Sequence, residues 1–266
     1  MLDRSLYLLI RAVAYAAYVF LLAPIVIVLI ASLTEAEYVT FPPIGLSLRW
    51  YGEIWNHQEF VRSAGLSIGL ATITALSAGL IAILAAYGLV RYRFPGRDLL
   101  SALFLSPLTL PAVVLGVALL QFYSRLGWIG NPISLFLGHL LVATPYALRL
   151  VMASLTGFDH RLELAALNLG ASRIQAFRRV VLPLIAPGVV SGVAFAFIVS
   201  FDDLVVSLFL SSPTLVTLPV RIYTYIDQSS SPMITALGAV LILVAAVVLL
   251  IVERTVGVDR VFGGAK

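Results

Sequence analysis

Long runs of uncharged, mostly apolar residues alternate with shorter charged connections along the chain. A helix needs about 20 such residues to cross the hydrocarbon core of a bilayer. Six runs reach this length and predict six membrane-spanning helices, over residues 12–33, 64–90, 99–124, 126–148, 182–201 and 233–252. The pattern therefore predicts an all-α, polytopic membrane protein.

Prolines adjust these predicted bounds. Pro107 and Pro111 interrupt the third run, and Pro132 is placed to open the fourth helix, because proline fits the first turn of a helix. The fifth run is predicted to continue to about Leu210. The first run is longer than the roughly 7–15 apolar residues of a signal peptide, so we expect a retained helix.

The composition excludes a soluble domain of this size. Charged residues make up 11% of the chain, against roughly 25% in soluble domains, and hydrophobic residues make up 61%. A folded soluble protein needs a polar surface that this chain cannot supply. The absence of cysteine also excludes a disulfide-stabilised scaffold.

The distribution of Lys and Arg predicts the orientation in the membrane, because cytoplasmic connections carry an excess of these residues. With the amino terminus inside, residues 1–11, 91–98, 149–179 and 253–266 are cytoplasmic and hold 13 of the 17 basic residues. Both termini are therefore predicted to be cytoplasmic. The net charge of +4 follows from this distribution and does not argue for nucleic-acid binding.

Two connections are predicted to lie outside. Residues 34–63 interleave Trp50, Trp55 and Phe60 with charges, which is typical of a helix at the lipid headgroups; a docking surface for an extracytoplasmic partner is the alternative. Residues 203–232 contain two proline turns. They are either an ordinary loop or part of an outer gate.

The connection over residues 149–181 is predicted to be structured. A short helix over 160–170 places small and apolar residues on one face, and Gly170 ends it. A second helix is predicted from 171 through Phe177, ending before Pro183. This arrangement also resembles a helix-turn-helix DNA reader, but the flanking membrane helices make that implausible. A cytoplasmic helix with an alanine-rich face needs a groove in another protein.

Ala165-Ala166, Gly170 and Val180-x-Leu182-Pro183 resemble the EAA loop of permeases in ATP-binding-cassette (ABC) importers. The resemblance implies a type-1 transmembrane domain over 61–253 with its EAA loop at about 156–183. Residues 1–60 then form an amino-terminal helix and outer loop, and 254–266 form a tail. The sequence departs from the family in one respect, since the usual glutamate position holds Leu164 and Glu163 stands one residue earlier.

The resemblance implies that this loop couples the chain to a separate ATPase. The coupling residues that it implies are Glu163, Ala165, Ala166, Gly170 and Pro183, and a bulky residue at Gly170 is expected to uncouple transport. The only lysine is Lys266, so no phosphate-binding P-loop exists in this chain.

The implied partners complete an importer in a bacterial inner membrane. They are a homologous second permease, two ABC ATPases that hold ATP and Mg, and an extracytoplasmic solute-binding protein. No cofactor is expected in this chain, which is not expected to be an enzyme.

A finer resemblance is to the spermidine/putrescine branch of these permeases. It rests on Phe41-Pro42-Pro43-x-Gly45, Ser200-Phe201-Asp202-Asp203 and Thr217-Leu218-Pro219. The branch also serves opines, amino-acid derivatives and phosphonates, so it narrows the solute only weakly.

Asp202 and Asp203 are the candidate pathway residues, because an ionisable group in a membrane segment usually faces a cavity. Adjacent helix positions point about 100° apart, so only one of the two is expected to line the path. The alternative is that both are solvated at the outer boundary. Gln121 is a further candidate, with a hydrogen bond between helices as its alternative. The three histidines are too scattered to suggest a metal site.

Two other functions compete with the importer. An ATP-independent secondary transporter often contains inverted repeats, which the two halves do not display. An intramembrane hydrolase needs a nucleophile and a base at one depth, for which His139 and a nearby serine are available without a supporting motif.

Overall fold

A computed structural model gives the structure of the protein and describes residues 4–229 and 231–256. Within these ranges the chain forms helices joined by short connections, with one isolated bridge between Ser212 and Leu215. The α-helices are α1 (Arg4–Ala31), α2 (Arg49–Asn56), α3 (Gln58–Arg91), α4 (Arg97–Leu105), α5 (Ala112–Arg125), α6 (Pro132–Thr156), α7 (His160–Asn168), α8 (Arg173–Ala176), α9 (Leu182–Phe201), α10 (Val205–Leu210), α11 (Leu218–Gln228) and α12 (Met233–Val256).

The chain divides into two compact units. Among the described residues, the first contains 4–61, 222–229 and 231–256, and the second contains 62–221. In the first unit, α12 packs against α1 and α2.

The outer segment of the first unit is more buried than the sequence predicts. Trp50 and Phe60 were predicted at the headgroups, but both are buried, whereas Trp55 is exposed. The Trp50 indole Nε1 donates to the Thr34 carbonyl at 3.0 Å, and the Phe60 ring packs edge-on against Tyr225. The tryptophan is buried because its one polar group finds a partner inside the fold.

Small residues build the core of the second unit. Ala75, Ala78, Ala82 and Ala86 recur at helical spacing on α3 and are all buried. They belong to one cluster with buried residues of α6, the turn before α9, and α9 itself, namely Ala143, Ala147, Leu148, Val151, Leu155, Val181, Ile185 and Ala196. Alanine allows helix backbones to approach closely, which lets them pack where lipid removes the hydrophobic driving force.

Helices α6 and α9 meet through two glycines of α9. A Cβ atom on Gly192 would lie 3.1 Å from the Ala147 carbonyl oxygen and 3.4 Å from its Cα, and one on Gly188 would meet Ser154. On α3, a Cβ atom on Gly79 would meet Val193, whereas one on Gly65, Gly69 or Gly88 would have no neighbouring atom within 4 Å in the described part of the chain.

Four described helical segments are long and apolar enough to cross a membrane: α1 from Leu6, α3, α6, and the continuous helix over Arg173–Phe201. A fifth span results if α4 and α5 count as one. Helix α12 contributes a shorter apolar stretch over Met233–Val247. The six-span count and the sidedness therefore stay predictions.

The third predicted span is bent. Helices α4 and α5 meet at 105°, across a 3₁₀ turn over Ser106–Thr109 that contains Pro107. Pro111 then precedes the first residue of α5. The bend arises because proline lacks the N–H group that would continue the helical hydrogen bonds.

The fourth helix begins at Pro132 as predicted, and the Asn131 side chain caps it by accepting from the Ile133 N–H at 2.9 Å. It was predicted to end at residue 148, but α6 continues to Thr156. The single charge of Arg149 does not end the helix, because its side chain is exposed.

The predicted outer connection is largely helical. The fifth helix does not continue to about Leu210: α9 ends at Phe201, and the separate helix α10 begins at Val205. The turn at Ser212 and Leu215 then leads into α11, where the sequence predicted only a loop or part of a gate.

Candidate functional site

The short helix α7 has defined ends. The Asp159 side chain accepts a hydrogen bond from the Arg161 N–H at 2.9 Å and so caps the helix start. At the other end, Gly170 has a φ of 88°, which favours glycine, and the Ala171 N–H donates to the Ala166 carbonyl at 3.1 Å. The predicted helix and its glycine stop are therefore present.

An apolar surface of this segment is exposed in the chain. Leu169 is 89% exposed and Ile174 is 70% exposed, while Leu162 and Leu164 are each nearly half exposed. Ala165 is exposed and Ala166 is half-buried. We call Leu162, Leu164, Ala165, Leu169 and Ile174 the apolar surface of the loop.

Glu163 points in the opposite sense, into the protein. Its side chain is buried, and its two carboxylate oxygens have separate partners on α3. The Tyr87 hydroxyl donates to Oε1 at 2.6 Å, and Arg91 Nη2 donates to Oε2 at 2.6 Å. His160 Nδ1 lies 3.3 Å from Oε2 at the exposed edge.

Aromatic rings enclose this ion pair. The Arg91 guanidinium lies over the Phe158 ring at 5.1 Å, and the Tyr87 ring packs edge-on against Phe177 at 4.8 Å. In the sequence, Arg91 contributes only to the predicted orientation, within residues 91–98, and no pattern identifies Tyr87. Their separation of four residues near the end of α3 puts both on one helix face, but nothing local in the sequence pairs them with Glu163.

Pro183 lies inside a helix and does not follow one. A break was predicted before it, but the helix is continuous from Arg173 to Phe201. The five-residue π turn over Phe177–Val181 allows this, since the Leu182 N–H bonds to the Phe177 carbonyl five residues earlier. A π turn changes the local register, so the continuous helix accommodates the proline at the start of α9.

The two aspartates lie next to each other in the helix break between α9 and α10. Asp202 follows the last residue of α9, and its side chain is exposed. Asp203 is half-buried, and its Oδ2 accepts from the Ser207 N–H at 2.8 Å, which satisfies an amide of α10. The two side chains therefore have different environments.

His139 links the helices on both sides of this break. Its Nδ1 lies 2.8 Å from Ser200 Oγ, and its Nε2 lies 2.9 Å from Ser207 Oγ and 3.8 Å from Asp203 Oδ2. His139, Ser200 and Ser207 are all buried. A catalytic triad needs a carboxylate hydrogen-bonded to the histidine, whereas Asp203 Oδ2 lies 3.8 Å from Nε2 and accepts from the Ser207 N–H instead, so the geometry does not favour the hydrolase.

Gln121 lies on α5, and its side chain is exposed. Among the described residues it makes no hydrogen bond with another helix, and none joins it to the aspartates. No group of three or more metal-ligating His, Asp or Glu side chains occurs in the ranges that the structure describes.

Comparison with known proteins identifies relatives along nearly the whole chain. The family model described as binding-protein-dependent transport system inner membrane component matches residues 78–257. The spermidine/putrescine transport system permease protein PotC of Escherichia coli strain K12 is 32% identical over 249 residues, which cover 93% of each chain. The putrescine transport system permease protein PotI of the same strain is 32% identical over 232 residues, covering 85% of this chain and 82% of that protein.

Solved structures share the fold. A bacterial ABC transporter involved in the import of the acidic polysaccharide alginate contains a chain that matches with a TM-score of 0.73 and 19% identity. The match covers 96% of this chain and 99% of that chain. At this identity the likeness extends to the fold alone.

Proposed function

Since this chain belongs to the family of binding-protein-dependent transport system inner membrane components, we propose that it forms half of a polyamine pathway and couples to a separate ATPase. The family is that of ABC importer permeases, so the protein is a membrane permease component and the secondary transporter loses its support. The proposed importer lies in a bacterial inner membrane and also contains a homologous second permease, two ATPases that bind ATP and Mg, and a solute-binding protein.

The polyamine assignment rests on the relatives and on one carboxylate. Two relatives that are 32% identical are named for spermidine or putrescine transport. Polyamines carry several ammonium groups at neutral pH, and an exposed carboxylate attracts them by simple Coulomb force. Asp202 is such a group, at a helix break where backbone leaves the regular helix.

The different surroundings of the two aspartates support Asp202 as the solute contact. The carboxylate of Asp203 already holds the first turn of α10 through Ser207. Moving it toward a solute would leave that amide without its partner, which carries a free-energy cost. Asp202 makes no such contact in the described chain, so its charge is available to a cation.

The apolar surface of the loop supports coupling to a separate ATPase. Exposed leucines on a short, capped helix fit a hydrophobic groove in a partner protein. Ala165, Ala166 and Gly170 lie along this segment, while Glu163 points inward and Pro183 lies in the helix that follows. The chain has no P-loop, so ATP hydrolysis requires another subunit.

Uptake by the complete importer in proteoliposomes tests the solute assignment. With putrescine and spermidine as solutes, Asp202→Asn is expected to lower uptake by about tenfold, equivalent to about 1.4 kcal/mol. Asp202→Glu keeps the charge and is expected to retain most uptake. ATP hydrolysis stimulated by the loaded binding protein should persist in both variants.

Asp203→Asn is the matched control, because it removes the same charge one residue away. We expect it to lower thermal stability, because it weakens the hydrogen bond to the first turn of α10. Its uptake per folded complex is expected to equal that of the original protein. Unchanged uptake in Asp202→Asn would reject Asp202 as the solute contact. ATP-dependent uptake of other solutes but of neither polyamine would reject the solute class.

A further inference from the structure

The loop that carries the apolar surface is attached to α3 as well as to its neighbours in sequence. Glu163 is 72 residues from Arg91 and 76 from Tyr87 along the chain, yet both contacts measure 2.6 Å. We call Tyr87, Arg91 and Glu163 the α3–α7 anchor. All three residues belong to the same compact unit.

The anchor is buried and complementary in charge. The Arg91 and Glu163 side chains are only 10% and 7% exposed. Charge-assisted hydrogen bonds are short and strong, and the tyrosine occupies the carboxylate oxygen that the arginine leaves free. Removing Glu163 would leave the buried guanidinium without its carboxylate, and removing Arg91 would leave the buried carboxylate with only the Tyr87 hydroxyl and the exposed His160, both of which are unfavourable.

The position of the glutamate determines which way its charge faces. Successive residues of a helix point about 100° apart, so Glu163 and Leu164 cannot share one face. Glu163 is buried against α3, whereas Leu164 contributes to the exposed apolar surface. The carboxylate one residue before the usual motif position therefore serves a contact inside this chain.

We propose that the α3–α7 anchor transmits movement of α7 directly to α3 during the transport cycle. This inference rests on the proposed docking of α7 to an ATPase. Apart from the anchor, α7 packs against α8 and the π turn, which follow it in sequence. With the anchor, a displacement of α7 also displaces the end of α3 at Arg91. Tyr87, Arg91 and Glu163 are thus positioning residues for coupling and do not contact the solute.

The test measures solute taken up per ATP hydrolysed by the complete importer in proteoliposomes. Glu163→Gln and Arg91→Gln are each expected to lower this ratio by about tenfold, within the range of coupling between distant sites. ATP hydrolysis itself is expected to stay within about twofold of the original protein, because neither residue contacts nucleotide. Arg93→Gln is the control, since it removes an exposed charge two residues from Arg91.

Exchanging the two charges of the ion pair distinguishes transmission of movement through the anchor from a general loosening of the loop. The double variant Arg91→Glu with Glu163→Arg restores the ion pair and is expected to recover part of the uptake ratio that each reversal loses alone. Normal uptake per ATP in assembled Glu163→Gln, or no recovery by the reversed pair, would overturn the proposal. If these charge variants fail to assemble, Tyr87→Phe is the variant to test, since it removes one hydrogen bond of the anchor and leaves the ion pair. An unchanged ratio of solute taken up to ATP hydrolysed in Tyr87→Phe would then reject the anchor.

Docking of α7 is tested separately, so that the two proposals can fail independently. The chain has no native cysteine, and Ala165→Cys therefore gives it a single thiol on the exposed surface. Crosslinking of this thiol to the ATPase supports docking, and its absence in the assembled complex contradicts the proposed coupling. Crosslinking together with a normal uptake ratio in Glu163→Gln would reject the anchor alone.

Discussion

Asp202 and Asp203 are neighbours in the chain, but in the break between α9 and α10 their carboxylates have different environments. Asp203 caps the short helix α10, and His139 bridges the serines on either side of the break. This network holds an irregular backbone segment in a defined conformation. Irregular backbone is tolerated at membrane depth only where protein or a water-filled cavity surrounds it.

Gly170 shows how one backbone angle sets the geometry of the loop. Its φ of 88° is strained for other residues, and a Cβ atom there would meet no neighbour within 4 Å in the described chain. We expect Gly170→Ala to strain this turn by about 1–2 kcal/mol and to lower uptake by the complete importer. Gly170→Asn is expected to retain more uptake, because asparagine adopts this conformation more readily.

The comparison of these two variants identifies the cause of any defect. A greater loss in Gly170→Ala than in Gly170→Asn follows if the backbone angle matters. Equal and severe losses would contradict that account and would show that a partner occupies the space beside the glycine. Uptake and membrane content are measured together, since the expectation is a defect in coupling with insertion unchanged.

The close contact of α9 with α6 predicts that a glycine-to-alanine substitution at this contact destabilises the protein more than the same substitution on an open helix face. Gly192→Ala would place a methyl group 3.1 Å from the Ala147 carbonyl oxygen, and the backbone there cannot move as a side chain does. We expect a loss of about 1–3 kcal/mol in the free energy of unfolding, as for other overpacked sites.

Gly69→Ala on α3 is the control, because among the described residues no neighbouring atom lies within 4 Å of the added Cβ. We expect it to be neutral or to stabilise by up to about 1 kcal/mol, through reduced freedom of the unfolded chain. Thermal unfolding in detergent measures both variants. Equal effects would contradict close packing between α6 and α9.

The sequence predicted the all-α, polytopic fold because most long apolar runs form single helices. It missed the 105° bend between α4 and α5, since Pro107 and Pro111 indicate an interruption without its angle. It also missed α11, whose mixed apolar and polar residues lack the length of a membrane span. Local patterns predict where helices form, whereas their packing and bends depend on the rest of the fold.

Local patterns likewise predicted the short helix of the candidate site but not its contacts with distant residues. The spacing around Ala165 and Gly170 indicated a short helix with a glycine stop, and both are present. The orientation of Glu163 was not predictable, because its partners lie more than 70 residues away in sequence. His139 was considered only by its chemistry, since no local pattern places it between Ser200 and Ser207.

The orientation of the whole chain can be tested with single thiols, because the protein contains no cysteine. Asn56 on α2 and Asn168 on α7 are both exposed and are predicted on opposite sides of the membrane. We expect a membrane-impermeant thiol reagent to label Asn56→Cys in intact spheroplasts, and Asn168→Cys only after permeabilisation. The reverse pattern would contradict the predicted orientation, which follows from the excess of basic residues inside.

The packing of α6 on α9 limits how the second unit can change shape. Each glycine on α9 accepts the backbone or a small side chain of α6, so sliding one helix along the other would replace this fit with overlap. We therefore expect the pair to move as one body, with the connection between Thr156 and Arg173 joined to α6 and α9 at its ends and to α3 through the anchor. If the proposed pathway lies beside α9, it is expected to open and close by pivoting of this pair and not by sliding of one helix along the other.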